Sequence, residues 1–480
     1  MSNLIASMGN AASSLNVLQQ ALAVVQNNVS NASTPGYAAQ TLDIGAAPVD
    51  VAAGETGGLM VAGVTSARDS YQDTAVQQGL QTLGLFTAQN QSTGVIQSYF
   101  DATGTTGVPA ALNNLLTAFS NWSASPSDPA AGQQVIAGAA TLASSVQALS
   151  QSLSGVGVQL DQQISSTVSQ INSLGQEIQQ YNQSRMQGGP PDPGAAANLE
   201  NNLENLSQLV NMTTLTQPNG TITVVLGNGS PLVIGNQLNP LSTSDFLSAQ
   251  PPPVNPGAPP DAHILDSNGN DITGTITGGQ LGGLLDTRNR VLASIIGDGQ
   301  QAGSLNVFAT TLANTVNGIL ESGTVSTQAG AANGTALFTY NNTDATLASG
   351  SLAVNAAITP AQLAPVDAAG NSNGNANTLA ALGSPNTPNG LNGGENLVTY
   401  FAGIASAAGQ ENQTAQQNEQ SQQQVVSQVT ATRDQISGVS LDGQAAQVLQ
   451  LQRGYQAVSQ VLTIVNDMLT SLLDVIPLQS

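Results

Sequence analysis

The chain has no cysteine, no lysine, one histidine (His263) and six arginines as its only other cations, against 28 acidic residues in 480. No disulfide framework, thiolate nucleophile or cysteine metal site can be built from it. A single imidazole makes no multi-histidine cage, and without lysine there is no P-loop lysine, Schiff base or lysine general base. The formal net charge of -22 repels phosphate backbones, and six scattered arginines make no basic stripe, so no nucleic-acid partner is expected. No run of about 18 apolar residues occurs, so no membrane span is expected. Met1 to Ala6 put no basic region ahead of a continuous apolar run, and no cleaved secretory signal is expected. Cofactors, metals and catalytic residues are expected to be none.

Charged residues make up only 7% of the chain, so its solubility rests on Asn, Gln, Ser and Thr. At 40% hydrophobic residues it can build cores, and its length suggests about three domains. The strongest periodic signal lies at the two ends. Leu4, Met8, Ala11, Leu15, Leu18, Leu22, Val25 and Val29 alternate spacings of four and three, the heptad stripe of a helix that lays one seam against other helices. The stripe stops at Pro35-Gly36. Leu441, Ala445, Val448, Leu451, Tyr455, Val458, Leu462, Val465, Leu469, Leu472 and Ile476 repeat the design at the other end. At the helical rise these seams run roughly 40 and 50 Å. Neither can bury its apolar edge alone, so the ends are expected to pair and then bundle with copies from other chains.

Between the ends, Phe119 and Trp122 sit one turn apart before a break at Ser125-Pro126, where Asp128 can cap the next helix with Pro129 at its first position. That helix runs through Ile136, Leu149, Ile164 and Ile178 to Tyr181, and a bend is expected at Gly155 and Gly157. A Gly/Pro loop at 188–194 returns it through Leu199, Leu203, Leu206 and Val210 as a helical hairpin. From about 213 the period changes. Thr221–Leu226 and Pro231–Ile234, flanked by Asn219-Gly220 and Asn228-Gly229, read as β-hairpin strands, followed by the proline-rich loop 251–260. Ile272 and Ile276 suggest further strand. Helix resumes at Leu281–Leu292 and Leu305–Leu320. Short β-like runs follow at Ala336–Tyr340 and Leu352–Val354, and helix returns from Glu395 to Ile436.

The expected fold class is α+β multidomain, with terminal coiled-coil helices, an elongated helical-bundle body and inserted β-rich domains. Residues 1–40 and 437–480 form the terminal helical domain; 41–212, 278–322 and 394–436 form the body; 213–277 and 323–393 are two β-rich insertions.

Individual chemical signals read as structural. Asp266 to Asp271 begins like a calcium loop but lacks the glycine and glutamate an EF-hand requires, and reads as a tight Asn-Gly turn. Gly227-Asn228-Gly229 lacks the third glycine of a dinucleotide fingerprint. His263 reads as a surface residue, Glu200 and Glu204 at i, i+4 as a solvated face, and Phe119 with Trp122 as core. Gly278–Leu285 reads as a close-approach joint between the β and helical parts.

The run Gln26-Asn27-Asn28-Val29-Ser30-Asn31-Ala32-Ser33-Thr34-Pro35-Gly36-Tyr37, followed by Gln40, resembles the NNIANxxTPGYxxQ segment of bacterial flagellar rod, hook and hook-associated proteins, with Val29 and Ser30 as departures. Leu116–Trp122 with Pro126 and Pro129, then Gly278–Arg288, Leu305–Asn317 and Leu441–Leu473, are similar to elements of the hook-associated protein 1 family. Three places depart from that pattern: Gln133-Gln134 stand where an arginine is usual, Asn198–Leu209 lacks arginine and aspartate, and Thr65–Arg68 carries one basic residue instead of two.

The resemblance implies a structural role, not an enzymatic one: an adaptor joining hook to filament and required for filament assembly. The terminal helices would form an inner tube, with Asn28, Asn31, Pro35, Gly36, Tyr37 and Gln40 as the family motif. It implies self-association in a ring, the hook protein and a second junction protein as neighbours, and a cytoplasmic export chaperone on the C-terminal helix. The implied location is extracellular, at the hook–filament junction, after type III export. A hook or distal-rod axial protein, and a flagellum-carried cell-wall hydrolase, stand as alternatives.

Overall fold

A computed structural model describes residues 2–50, 55–100, 105–188, 192–227, 229–244, 261–384 and 395–475. The proline-rich loop 251–260, Asn228, residues 189–191 of the Gly/Pro loop and Ile476 lie outside the described residues.

The chain leaves through helices and returns through helices. Helix α1 (Ser2–Ser30) is followed by an antiparallel ribbon of β1 (Gln40–Ala46) and β2 (Leu59–Ser66), paired from Gln40↔Ser66 to Ala46↔Leu59. Helices α2 (Ser70–Ser98), α3 (Gly107–Ala124), α4 (Pro129–Met186) and α5 (Pro193–Leu209) form the outgoing body. Asp128 caps α4 by accepting from the Ala130 amide at 2.9 Å, with Pro129 in the first turn. At 58 residues α4 is roughly 85 Å long, and it is continuous through Gly155 and Gly157. Its first half buries Val135, Ala139 and Leu142 against Leu115, Phe119 and Trp122 of α3, and its second half buries Ile171 and Ile178 against Leu199, Leu203 and Leu206 of α5.

A four-stranded antiparallel meander caps the far end of α4: β3 (Met212–Thr216), β4 (Ile222–Leu226), β5 (Ser230–Ile234) and β6 (Gln237–Leu238), in that order. Ile222, Val224 and Leu226 alternate inward, as half-buried strands require. The Asn182 amide donates to the carbonyls of Ile222 (2.7 Å) and Gly235 (2.8 Å), and its oxygen accepts from the Ile222 amide, so this side chain stitches helix to sheet. The strand expected around Ile272 and Ile276 is instead a single 3₁₀ turn at Thr273–Thr275. Asp271 accepts from the backbone and hydroxyl of Thr273 there and curls the chain.

Helices α6 (Gly279–Asp286) and α7 (Ser304–Glu321) bring the chain back into the body, with a π-helical turn at Thr287–Leu292 between them. In the following region Phe338–Thr339 pairs with Ala353–Val354 across two residues each. Helix α8 (Leu397–Ser437) then runs antiparallel to α2. Gln422 reaches the Gly79 carbonyl (3.1 Å), Glu419 accepts from Thr87 (2.9 Å) and Asn90 (2.6 Å), and Asn412 reaches the Asn90 carbonyl (3.0 Å). Helix α9 (Leu441–Val475) pairs antiparallel with α1: the Asn28 amide meets Gln444 at 3.2 Å, and Leu18 lies beside Gly454.

The Gly278–Leu285 segment is a close joint. A methyl group on Gly283 would stand 2.4 Å from the Leu85 carbonyl and 2.8 Å from the Ala88 side chain, both on α2. Ser92 of α2 donates to Thr287 at 2.8 Å and Gln89 to Asp286 at 2.8 Å, so the glycine lets these polar ties close. Gly283→Ala is expected to destabilise the body by about 1–3 kcal/mol through forced separation of α2 and α6, read as a lower urea midpoint.

Candidate functional site: the joint beneath the terminal helices

The motif 28–40 folds into a joint where the chain turns out of α1. Asn28 is completely buried. Its amide donates to the Gln40 carbonyl at 2.7 Å and its oxygen accepts from the Gln40 amide at 2.9 Å, so the side chain pairs with β1 as another strand would. The Tyr37 hydroxyl donates to Asn28 at 2.9 Å and Asn27 at 3.0 Å, which holds the ring across the turn. Asn31 closes the last turn of α1 by donating to the Asn27 carbonyl at 2.9 Å and accepting from Thr34 at 3.2 Å. Gln40 donates to the Ala38 carbonyl (3.0 Å) and Ser66 (3.2 Å), tying the two ribbon strands at their root.

Pro35-Gly36 delivers the chain onto α5. Gly36 has φ +73°, and a methyl group there would lie 2.5 Å from the Ala197 carbonyl, so both conformation and space demand glycine. Its carbonyl accepts from Arg68 at 2.5 Å. Next along, the Ala39 amide donates to the Ser437 carbonyl at 2.8 Å, so outgoing and returning chains touch at this level.

Beneath the turn lies a charged cluster. Arg68 contacts Glu200 at 3.0 Å and Asp73 at 3.3 Å, Gln77 donates to Glu200 at 3.0 Å, and Arg433 pairs with Glu204 and, at 3.1 Å, with Asp434. The expected solvated face at Glu200 and Glu204 is therefore corrected: Glu200 is only 6% exposed. The arginines that bury it stand far away in sequence, one before α2 and one at the end of α8. Burial pushes the Glu200 carboxyl up to about 7, reinforced by Asp73 and opposed by Arg68. Burial likewise raises Asp73 and Glu204 against the pull of their arginines. A polar cavity of about 310 Å³ opens beside the cluster, lined by Thr34, Gly36, Arg68, Glu200, Arg433 and Ser437.

The two seams divide by face. Leu18, Val25 and Val465 are buried where α1 meets α9; Leu4, Leu15, Leu22, Val448, Leu451, Val458, Leu462 and Leu469 are half-buried; Met8, Val29, Tyr455 and Leu472 are exposed. Ala11, Ser14, Val17, Ala21 and Asn28 complete the buried face of α1. A simple apolar heptad overlooks Ser14 and Asn28 because they are polar. On α9, Leu449, Val461, Ile464 and Met468 face outward, about half exposed.

His263 forms a surface pair with Asp271 at 2.8 Å, and Asp266 accepts from the amides of Asn268 and Asn270 in a tight turn. Phe119 and Trp122 are core. Among the described residues no cluster of three or more His, Asp or Glu is placed to hold a metal, and no helix is long and apolar enough to cross a membrane.

Residues 93–338 match the family described as the flagellar hook-associated protein FlgK helical domain, which is more than half of the chain. The chain belongs to the FlgK family. This match covers α3 to α7, including the Gly283 joint. Two further matches fall on the ends: residues 8–37 on a flagella basal body rod protein family, and 432–475 on the C-terminal family of flagellar basal body rod FlgEFG proteins. The joint thus draws Asn28 to Tyr37 from one rod-type segment and Arg433 to Ser437 from the other.

Among relatives, flagellar hook-associated protein 1 of Salmonella typhimurium is 30% identical over 313 residues, covering 61% of this chain and 53% of that protein. The Escherichia coli protein of the same name is 29% identical over the same shares, so the alignments span about half the length of these relatives. The Bacillus subtilis protein of that name is 23% identical across 96% of both chains. In fold, the flagellar hook junction protein FlgK from Burkholderia pseudomallei superposes with a TM-score of 0.63 at 18% identity, covering 77% of this FlgK-family chain and all of that one.

Proposed function

We propose that this chain is a structural adaptor of the bacterial flagellum, seated between hook and filament and needed for the filament to assemble. The observation that carries this reading is the outward face of α9. Val461, Ile464 and Met468 recur at spacings of three and four and stand about half exposed in the single chain, while Val465 between them is buried. Each fully buried apolar side chain of this size contributes roughly 1.5–3 kcal/mol, so the stripe is a strong drive toward association once copies are aligned. The seams then close a cylinder of terminal helices, with the α2–α8 body and the β-rich parts outside it.

In this reading the partners are further copies in a ring, the hook protein on one side and a second junction protein on the other. The same exposed stripe needs a chaperone before type III export, and the destination is extracellular. A hook or distal-rod position is disfavoured because the rod-type matches fall only on the ends, whereas the hook-associated match occupies the body. A wall hydrolase would use a carboxylate near neutrality, as Glu200 is, but its oxygens are engaged by Arg68 and Gln77 inside the joint.

Removing residues 441–480 is expected to leave a folded, soluble body that neither polymerises nor seeds filament. Filament growth on the truncated chain in a motility assay overturns the assembly role of α9. Immunogold label confined to a band at the hook–filament boundary is the expected placement; label along the hook selects the alternative.

A further inference from the structure

The joint encloses, fully or partly, more acid than its cations balance. Five segments converge on Glu200: the exit turn with the Gly36 carbonyl; Arg68 and Asp69 ahead of α2; Asp73 and Gln77 within it; Glu204 on α5; and Arg433 and Asp434 on α8. Asp434 is mostly exposed and screened, and Asp69 is turned to the α2 amides as their cap. The account of enclosed groups is therefore three carboxylates, Asp73 and Glu200 buried and Glu204 partly so, against two partly buried guanidiniums, Arg68 and Arg433.

The same few residues also fasten the terminal helices to the body. Arg68 binds Gly36 of the outgoing chain with one nitrogen, and Asp73 and Glu200 with the other. The returning chain passes through Arg433 and Ser437 to Gly438, where α8 ends and α9 begins three residues later. The adjoining cavity gives water a route to the cluster. Ser437, 6% exposed, lines that cavity with a hydroxyl that has no protein partner.

We propose that this joint is a proton-operated latch: with one proton on the Glu200 cluster, two anions balance two cations and the terminal hairpin is held at a fixed angle to the body, and loss of that proton loosens the hold. When Glu200 ionises, a third buried negative charge repels Asp73 and Glu204 and draws Arg68 away from the Gly36 carbonyl. The upward displacement of the Glu200 carboxyl to about 7 agrees in sign. The folded joint binds the proton more tightly than the unfolded chain does, so its stability is complete below the ordinary glutamate value and declines as pH rises from there to about 7. The latch is a property of the single chain and stands independently of the junction role.

Because the chain has no cysteine, two spin labels can be placed alone at exposed sites, Gln183→Cys on α4 and Gln456→Cys on α9. Pulsed electron–electron resonance on the full chain is expected to give a narrow distance distribution at pH about 5.5 and a broadened or shifted one at pH about 8.5, on either side of the transition. Glu200→Gln is expected to keep the narrow distribution at both. Asp73→Asn, which leaves two carboxylates against two guanidiniums even when Glu200 is ionised, is expected to fold and to keep the narrow distribution at pH about 8.5, and it decides the matter if Glu200→Gln does not fold. A parent distribution unchanged across this range, a Glu200→Gln chain that keeps the parent's response, or an Asp73→Asn chain that broadens at pH about 8.5 as the parent does overturns the latch.

Discussion

Ile464→Glu is expected to melt with the parent chain and to fail completely in assembly. Ile464 is 54% exposed on the outer face of α9, so a carboxylate there keeps most of its water in the monomer, and substitutions of this kind usually change stability by no more than about 0.5 kcal/mol. In the proposed cylinder the same position would face a neighbouring subunit. An uncompensated charge buried there costs several kcal/mol per contact, repeated in every copy. The neighbouring substitution Val465→Glu supplies the contrast. Val465 is only 8% exposed and turned toward α1, so that change breaks the hairpin within the monomer and lowers helicity in solution. Sedimentation of purified chains, with circular dichroism alongside, separates the two. An Ile464→Glu chain that sediments and assembles like the parent removes the outer stripe from the assembly mechanism.

Arg288→Met is expected to destabilise the body by about 3–5 kcal/mol at neutral pH. The Arg288 guanidinium is almost wholly enclosed and meets Asp161 of α4 at 2.9 Å, clamping the π-helical turn onto the long helix. Methionine fills much of the same space but leaves the half-buried Asp161 without its cation. Burial already raises the Asp161 carboxyl with Arg288 opposing, so removal of Arg288 raises it further. A carboxyl raised in the folded state contributes stability that is lost as pH rises. The deficit of the variant is therefore smallest in acid and largest at neutral pH, checked by urea titrations across that range. The double change Arg288→Met with Asp161→Leu recovers most of the loss, because replacing both partners leaves no orphaned charge. A single variant with the parent's stability at every pH shows that the pair is not a clamp.

What could be read along the chain was whatever depends on neighbours in sequence. The terminal seams, the α4–α5 hairpin with its Asp128 cap, and the Ile222–Leu226 and Pro231–Ile234 strands all declare themselves through periods of about 3.6 or 2, or through a capping residue. Helix α2 does not. It buries Asp73, Gln77, Ser92 and Thr93 along with Val76 and Ile96, because α5 and α6 cover it on one side and α8 on the other, and no single apolar stripe results. The ribbon at 40–66 was likewise not foreseen; its strands are half exposed and carry glycines at 45 and 63, so their alternation is faint.

The sequence by itself determined the excluded chemistries, the helical ends and the motif that marks the turn, since residue counts, local period and a Pro-Gly break need no distant partner. Only the tertiary structure decided that Asn28 is a strand mimic for Gln40 that also reaches Gln444, 416 residues away, and that Glu200 is interior. Gln77 meets Glu200 across 123 residues and Arg433 meets Glu204 across 229. Burial and electrostatic balance are sums over everything that comes near a group, and in a chain with so few cations that sum turns on where two arginines happen to be brought by the fold.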